Sequence, residues 1–586
     1  MSRAMTRLSS SAALAAAAIA LLASCAPPAA PQATAAPEAI SDQGQEQVYS
    51  AIVSAAHPLA AEAGEEMLRA GGSAADAAMA TLLALTVVEP QSSGIGGGGF
   101  LMYHDGESGR IYALDGREYA PRAAMPDMFL GADGEPKPYR ASQVGGMSVG
   151  IPGNVRLMEK AHRRFGKLPW ARLFDPAIRL AEEGFEVTPR LHDMLTRSKD
   201  RAALTAWARA TYFTAADQPK PVGTLIRNPA AARFLRRLQA EGPSSFYTGR
   251  SASSIVQAVV SAPVHPQAMT TADISDYKAE WRDPVCGTYR SYRVCGMPPP
   301  SSGGTTVIAM LEQLERFDLA AMGPEDPQAW HLIAESMRLA FADREKYLGD
   351  PDFVSVPTSG LIDKAYTRAR SDLIDPQRAA ETVEAGTPPG APNVAMVRQP
   401  PDGGTSHFVT ADREGDVASL TSTIEAVFGS GLTVNGYFLN NELTDFSFQP
   451  VVDGLPAANA IAPRKRPRSS MSPTIVYAPS GEVAFAVGAA GGPTIIAQTA
   501  KAIIGVIDWG LSIDEAIELP QLYAALGPVV LEEDTPLAGL EGQLKAMGHD
   551  TSVSDLPLKA NGLQRIGRGW IGGADGRGEG AIAGIE

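Results

Sequence analysis

A threonine behind two glycines, Gly403-Gly404-Thr405-Ser406-His407, stands where a Pro- and Gly-rich stretch gives way to β-branched residues. A threonine hydroxyl is a poor nucleophile at its free pKa and needs a base to take its proton. One solution is to cut the peptide bond before the threonine, so that its own α-amine accepts the proton. A Gly-Gly in an open linker gives such a cut steric access. Many threonines follow glycines, so this pentapeptide alone does not select that chemistry. A second feature is the glycine run Gly94-Ile95-Gly96-Gly97-Gly98-Gly99. A phosphate-cradling loop would need Gly-Lys-Ser/Thr opening a helix, or a dinucleotide fingerprint between a strand and a helix. Here strand-like residues follow the glycines and no such lysine is present. The run therefore reads as close backbone packing in a sheet or near a ligand.

The elements that must position these residues are mixed. Leu59, Ala60, Ala63, Met67 and Leu68 recur at helical spacing, and Gly71-Gly72 stops that helix. Ser73 with Asp76 forms a capping box for a helix from Ala74 to about Leu85. Met102, Tyr103, Ile111, Tyr112 and Leu114 fall in strand-like segments, and residues 156–187 and 326–347 read as helices. From about Gly386 to Gly404 the prolines and glycines predict a loop or linker. Beyond it, Ser406–Thr410, Val417–Ile424 and Thr474–Val487 read as strands, with helices near 494–508 and 513–518. The layout predicts a mixed α/β protein in two unequal parts, split near 404.

The full chain has 586 residues, 45% hydrophobic and 20% charged, enough to bury a large core. Its formal charge of −15 argues against a general nucleic-acid binder. Three cysteines make neither a disulfide-stapled miniprotein nor a Cys-rich zinc protein. Arg3 and Arg7 precede an apolar run, Ala12–Ala23, too short to span a bilayer and suited to a signal h-region. It ends Leu22-Ala23-Ser24-Cys25, which resembles a bacterial lipobox with Cys25 as the lipidated residue. The bland alternative is an ordinary signal peptide with a chance cysteine. Residues 25–45 then read as a flexible tether. Cys286 and Cys295 flank two short strands with Arg290-Ser291 at the turn, which sets them opposite each other. Opposed strand residues have Cβ atoms about 4.5–5.5 Å apart, slightly beyond the usual disulfide range. A bridge in an oxidising compartment and two free, half-buried thiols both stay open.

Further stretches spread over most of the chain resemble those of γ-glutamyltransferases (γ-glutamyltranspeptidases), within the N-terminal-nucleophile hydrolases. They are Gly94–Phe100, Leu114–Glu118, Val149–Gly153, Met297–Gly304 and Tyr347–Pro351 before the linker. After it come Thr405–Phe408, Asn440–Phe446, Lys465–Thr474 and Gly491-Gly492, in the family's order. The resemblance implies a four-layer αββα sandwich built from two subunits of one precursor. Residues 1–24 would be the signal peptide, 46–404 the large subunit and 405–586 the small catalytic subunit, cleaved between Gly404 and Thr405.

In the same terms Thr405 is the nucleophile and Thr423 supports it. Gly491 and Gly492 supply oxyanion donors, a role for fixed backbone N–H groups. Arg117 matches the arginine that takes the substrate α-carboxylate as a fork, with Ser469 and Ser470 donating to the same group. Asp445, Glu425 and Glu442 match the residues around the α-amine. The implied activity is γ-glutamyl transfer or hydrolysis, with glutathione as donor and an amino acid, peptide or water as acceptor. No metal or organic cofactor is implied. The chain is expected to be an exported periplasmic or cell-surface lipoprotein, anchored at the outer membrane through its lipid. Ser447–Arg464, the segment that carries a lid in some members, holds no tyrosine or tryptophan. An open site would let hydrolysis compete with transfer. The rival readings are a glutaryl or cephalosporin-type acylase of the same fold, whose substrates lack the α-amine, and a non-catalytic surface lipoprotein.

Overall fold

The computed structural model describes residues 47–398 and 403–586. The expected signal peptide, the tether and Cys25 lie outside the described residues. Two large sheets use strands β1 Ala51–Ala55, β2 Gly98–Asp105, β3 Arg110–Gly116, β4 Glu280–Arg282, β5 Val285–Tyr289, β6 Tyr292–Gly296, β7 Gly404–Ala411, β8 Val417–Glu425, β9 Thr474–Tyr477, β10 Val483–Ala490, β11 Lys559–Ile566, β12 Gly569–Ala574 and β13 Ala581–Ile585. The first sheet runs β13-β1-β7-β8-β2-β3-β4 and the second β12-β11-β10-β9-β6-β5, with every neighbouring pair antiparallel.

Alternation along β2 shows how the layers are built. Leu101 and Tyr103 point into the core beneath helices α1 (Pro58–Arg69) and α2 (Ala74–Val88). Phe100 and Met102 point the other way, into a core shared with Phe485 and Val487 of β10. That second core continues through the second sheet to α3 (Gly303–Leu314), α4 (Pro327–Tyr347) and α5 (Thr494–Ile507). The result is four layers, helix–sheet–sheet–helix. Both sheets take strands from before and after residue 404, so the position of the expected cut falls inside one sandwich.

Helix α2 is buried along its whole length and starts with the Ser73–Asp76 capping box, Asp76 N–H donating to Ser73 Oγ at 3.2 Å. One expectation differs. Residues 156–187 are not one helix but Asn154–Phe165 and Asp175–Glu183, separated by a 3₁₀ turn at Trp170–Phe174. Gly166 ends the first with an extended backbone, and Pro169 cannot donate to continue it. Thr474–Val487 falls in strands as read, β9 and β10, paired as a hairpin. In the β5–β6 hairpin Cys286 pairs with Cys295 and a disulfide joins them, with Arg290 at φ 54° in the turn. Among the described residues no helix is long and apolar enough to cross a membrane.

Candidate active site

Thr405 is the second residue of β7, and the antiparallel register sets it opposite Thr423 of β8. Thr405 Oγ donates to Thr423 Oγ at 3.1 Å, and Thr423 Oγ donates to the Gly404 carbonyl at 2.7 Å. The Glu425 backbone N–H donates to Thr423 Oγ at 2.8 Å, which fixes that hydroxyl's rotamer. The register slips between Thr423 and Glu425, and Glu425 has φ 73°. Such bulges re-aim side chains beside functional sites, and here the bulge turns Glu425 toward the pocket. The glycine run makes the approach possible: a Cβ on Gly97 would lie 1.9 Å from the Thr423 carbonyl oxygen. In the uncut chain, then, a hydroxyl lies next to the peptide bond it would attack, and a second hydroxyl polarises that carbonyl.

A pocket of about 40 Å³ opens on Thr405. Its walls include Arg117, Thr423, Glu425, Glu442, Asp445, Ser469, Ser470 and Gly492, so the structure gathers nearly all the sequence-selected residues around one cavity. Gly491 lies just behind the wall, against Gly403, with φ 123°, and a Cβ there would meet the Pro557 carbonyl oxygen at 1.9 Å. Gly491 and Gly492 form the turn from β10 into α5, where a helix N-terminus favours negative charge.

The charges are arranged differently from a simple fork. Arg117 is fully buried; its guanidinium pairs with Glu442 through Nη1 and with Asp445 through Nη2. It also donates to the carbonyls of Pro467 at 3.2 Å and Arg468 at 3.0 Å. The fork that the sequence suggested for a substrate carboxylate thus already holds two protein carboxylates. Glu118 lies 4.0 Å from the same guanidinium. Burial pushes the Glu118 carboxyl up to about 7 despite Arg117. Burial also raises Glu442 and Asp445 above the usual carboxylate range, again against the pull of Arg117. The pocket holds more carboxylates than cations, an arrangement that an incoming ammonium would relieve.

The serines are held from behind. Arg344 of α4 donates to Ser470 Oγ at 2.6 Å and to Ser302 Oγ at 2.8 Å, and Ser302 Oγ donates to the Ser469 carbonyl at 2.6 Å. The Met297–Gly304 motif therefore supports the Ser469–Ser470 segment. Sequence reasoning gave no role to Arg344, Glu118 or Tyr139. Tyr139 donates to Glu425 at 3.3 Å, and Asn441 Nδ2 donates to the other oxygen of Glu425. Phe448, in the segment without tyrosine or tryptophan, stacks on Phe129 at 4.3 Å and lies tilted 5.6 Å from Tyr139. The aromatic hydroxyl beside Glu425 thus comes from far upstream of the Ser447–Arg464 segment. Glu118 was readable as a charged neighbour of Arg117; nothing local marks Tyr139 or Arg344.

Thr423→Val keeps the shape and removes the hydroxyl that polarises Gly404. Cutting at Thr405 should slow by about 10²-fold, with the intact chain persisting on denaturing gels. Cutting at the native rate would show that Thr423 is a strand residue only.

The gamma-glutamyltranspeptidase family model matches residues 60–585. The chain is 37% identical over 525 residues to the glutathione hydrolase proenzyme of Bacillus subtilis (strain 168), covering 88% of this chain and 87% of that protein. It is 36% identical over 518 residues to the acylase ACY 1 proenzyme of Pseudomonas sp. (strain SE83), covering 87% of this chain and 88% of that one. Its fold is similar to that of a cephalosporin acylase from Bacillus halodurans, with a TM-score of 0.81 at 27% identity, over 94% of this chain and 100% of that one.

Proposed function

The chain belongs to the γ-glutamyltranspeptidase family, and on that premise we propose how its residues carry out γ-glutamyl transfer and hydrolysis. Maturation comes first. Thr405 Oγ attacks the Gly404 carbonyl carbon, the Gly404–Thr405 C–N bond breaks, and the hydroxyl proton ends on the departing nitrogen. Water then hydrolyses the ester, which frees the Gly404 carboxylate and leaves Thr405 with a free α-amine. In turnover that amine takes the Thr405 proton as Oγ attacks the γ-amide of the donor. The backbone N–H groups of Gly491 and Gly492 receive the oxyanion. The amine or peptide leaves, and water or an acceptor amine takes the γ-glutamyl group from Thr405.

The observation that carries the substrate assignment is the buried Arg117–Glu442–Asp445 set. A γ-glutamyl group ends in a zwitterion. Its α-ammonium can take Glu442, Asp445 and Glu425 while its α-carboxylate takes Arg117, Ser469 and Ser470. The exchange conserves net charge, so no buried ion is left alone. Glutathione, the donor named for the Bacillus subtilis relative, carries such a group.

A second reading is supported by the acylase relative and the cephalosporin acylase fold. A glutaryl group has the carboxylate but no ammonium. Its binding would take Arg117 from Glu442 and Asp445 and supply no ammonium in its place, a mismatch worth about 10³-fold or more in kcat/KM. Turnover of γ-glutamyl p-nitroanilide should exceed that of glutaryl p-nitroanilide by at least that factor; faster glutaryl turnover would reverse the assignment. The expected export and lipid anchoring at Cys25 are part of the same proposal. They are supported by the basic Arg3 and Arg7, the apolar run and the Leu22–Cys25 tetrad.

A further inference from the structure

Alternation along β7 sends Thr405 toward the pocket and Ser406 to the opposite face. There Ser406 meets two groups that the chemistry above does not use. Its hydroxyl donates to Glu89, which directly follows α2, and Lys559 of β11 binds both oxygens of Glu89 at 3.0 Å. Lys559 Nζ also lies 3.4 Å from Ser406 Oγ and 3.5 Å from Ser92 Oγ. All three main members are buried: Glu89 and Ser406 at 0% exposure and Lys559 at 1%. An ion pair this deep is retained at the expense of desolvation, and removing one partner leaves the other charge stranded.

The pair is also connected to β8 and to the turn that holds Gly491. Ser92, in the turn that follows Glu89, accepts the Ile424 N–H of β8 on its carbonyl at 3.3 Å, next to Thr423. The Lys559 backbone N–H donates to Gln498 Oε1 at 3.1 Å, and Gln498 Nε2 donates to the Ala490 carbonyl at 2.7 Å, immediately before Gly491. Glu89 lies before the Gly404–Thr405 bond in the chain, whereas Ser406 and Lys559 lie after it. A cut at that bond removes the covalent restraint on the first residues of β7. This cluster then ties the new chain end to both parts of the sandwich.

We propose that Lys559, through its ion pair with Glu89 and their joint hold on Ser406, is a positioning residue that keeps Thr405 in register with Thr423 and the Gly491 turn once the chain is cut. The proposal rests on cleavage before Thr405. Its physical basis is that a shift of about 1 Å in a reacting group costs about 10²-fold in rate.

Titration supports the geometry. Burial pulls the Lys559 ammonium down to about 8, with Glu89 and Glu579 opposing the shift and Arg190 adding to it. The groups facing it are Glu89 and Ser92 after α2, Ser406 on β7, Arg190 with Nε 3.9 Å from Glu89, Glu579 before β13, and His57 before α1. The cation is present below that pH and is lost as pH rises through it, leaving Glu89 to the more distant guanidinium of Arg190.

The test compares wild type, Ser406→Ala and the charge-neutral double variant Glu89→Gln/Lys559→Met. Rates with γ-glutamyl p-nitroanilide are normalised to the amount of chain beginning at Thr405. The double variant is expected to lose about 10²-fold in kcat with KM within about twofold of wild type. The basic limb in kcat near pH 8 should vanish, because neither group then titrates. Ser406→Ala keeps the ion pair and the fold, and is expected to lose about tenfold in kcat at an unchanged Tm. A processed double variant with native kcat and the same basic limb would overturn the proposal, as would native kcat in Ser406→Ala. If wild type itself yields no chain beginning at Thr405, the cleavage reading has failed instead, and the two failures are told apart.

Discussion

Thr405→Ala is expected to stay a single uncut chain and to turn over γ-glutamyl p-nitroanilide at least about 10⁵-fold more slowly than wild type. Both losses have one cause. In the proposed maturation the hydroxyl that donates to Thr423 at 3.1 Å is the atom that bonds to the Gly404 carbon, and alanine has none. Without that bond there is no ester, no water attack on it and no free α-amine. The pocket would be complete but lack a nucleophile and a base. The fold should survive, because Thr405 loses one hydroxyl while its strand pairing with Thr423 is a backbone property. Thr405→Ser restores a hydroxyl and should recover both cutting and turnover at reduced rates. Intact mass and N-terminal sequencing decide the matter: normal cutting after Gly404 in the Thr405→Ala variant would refute the mechanism.

Arg117→Lys should lower kcat/KM for γ-glutamyl p-nitroanilide by about 10²–10³-fold, about 3–4 kcal/mol, mostly through KM. Lysine conserves the charge, so Glu442 and Asp445 are not left without a cation and the protein should still fold and be cut. It does not conserve the geometry. Arg117 reaches Glu442, Asp445 and the carbonyls of Pro467 and Arg468 at once. A single ammonium cannot span those positions and then present a flat fork to a substrate carboxylate. Michaelis constants across the two proteins test this directly; native kcat/KM in the lysine variant would remove Arg117 from the carboxylate site and with it the exchange of partners.

Much of the site was legible in the chain. Thr405, Arg117, Asp445 and the two glycines sit in contiguous motifs that resemble the family's, Thr423 was matched by the same resemblance, and the structure gathers them at one place. The capping box at Ser73 and the helix Ile513–Glu518 were legible for another reason: their signals are local, within three or four residues. The residues that escaped act across long separations. Lys559 meets Glu89 over 470 positions, Tyr139 meets Glu425 over 286, and Arg344 meets Ser470 over 126. No local pattern marks such a partner. The broken helix at 156–187 escaped because its apolar spacing runs on through Gly166 and Pro169, and periodicity does not weigh a stop.

By itself the sequence determined the family, the element types, and the inventory of groups available to bind a zwitterion and attack its amide. The family was legible because the motifs resemble the family's own, and the inventory because the groups a residue carries are fixed by its type. Only the tertiary structure decided how those groups are spent. Strand register, a property of two segments paired across the sheet, put Thr423 against both Thr405 and the Gly404 carbonyl. Burial, a property of all four layers, turned Arg117 from an open fork into the centre of a closed carboxylate set and raised those carboxylates above their ordinary range. Pairing and desolvation depend on neighbours brought together by folding, so residue types alone leave them unspecified.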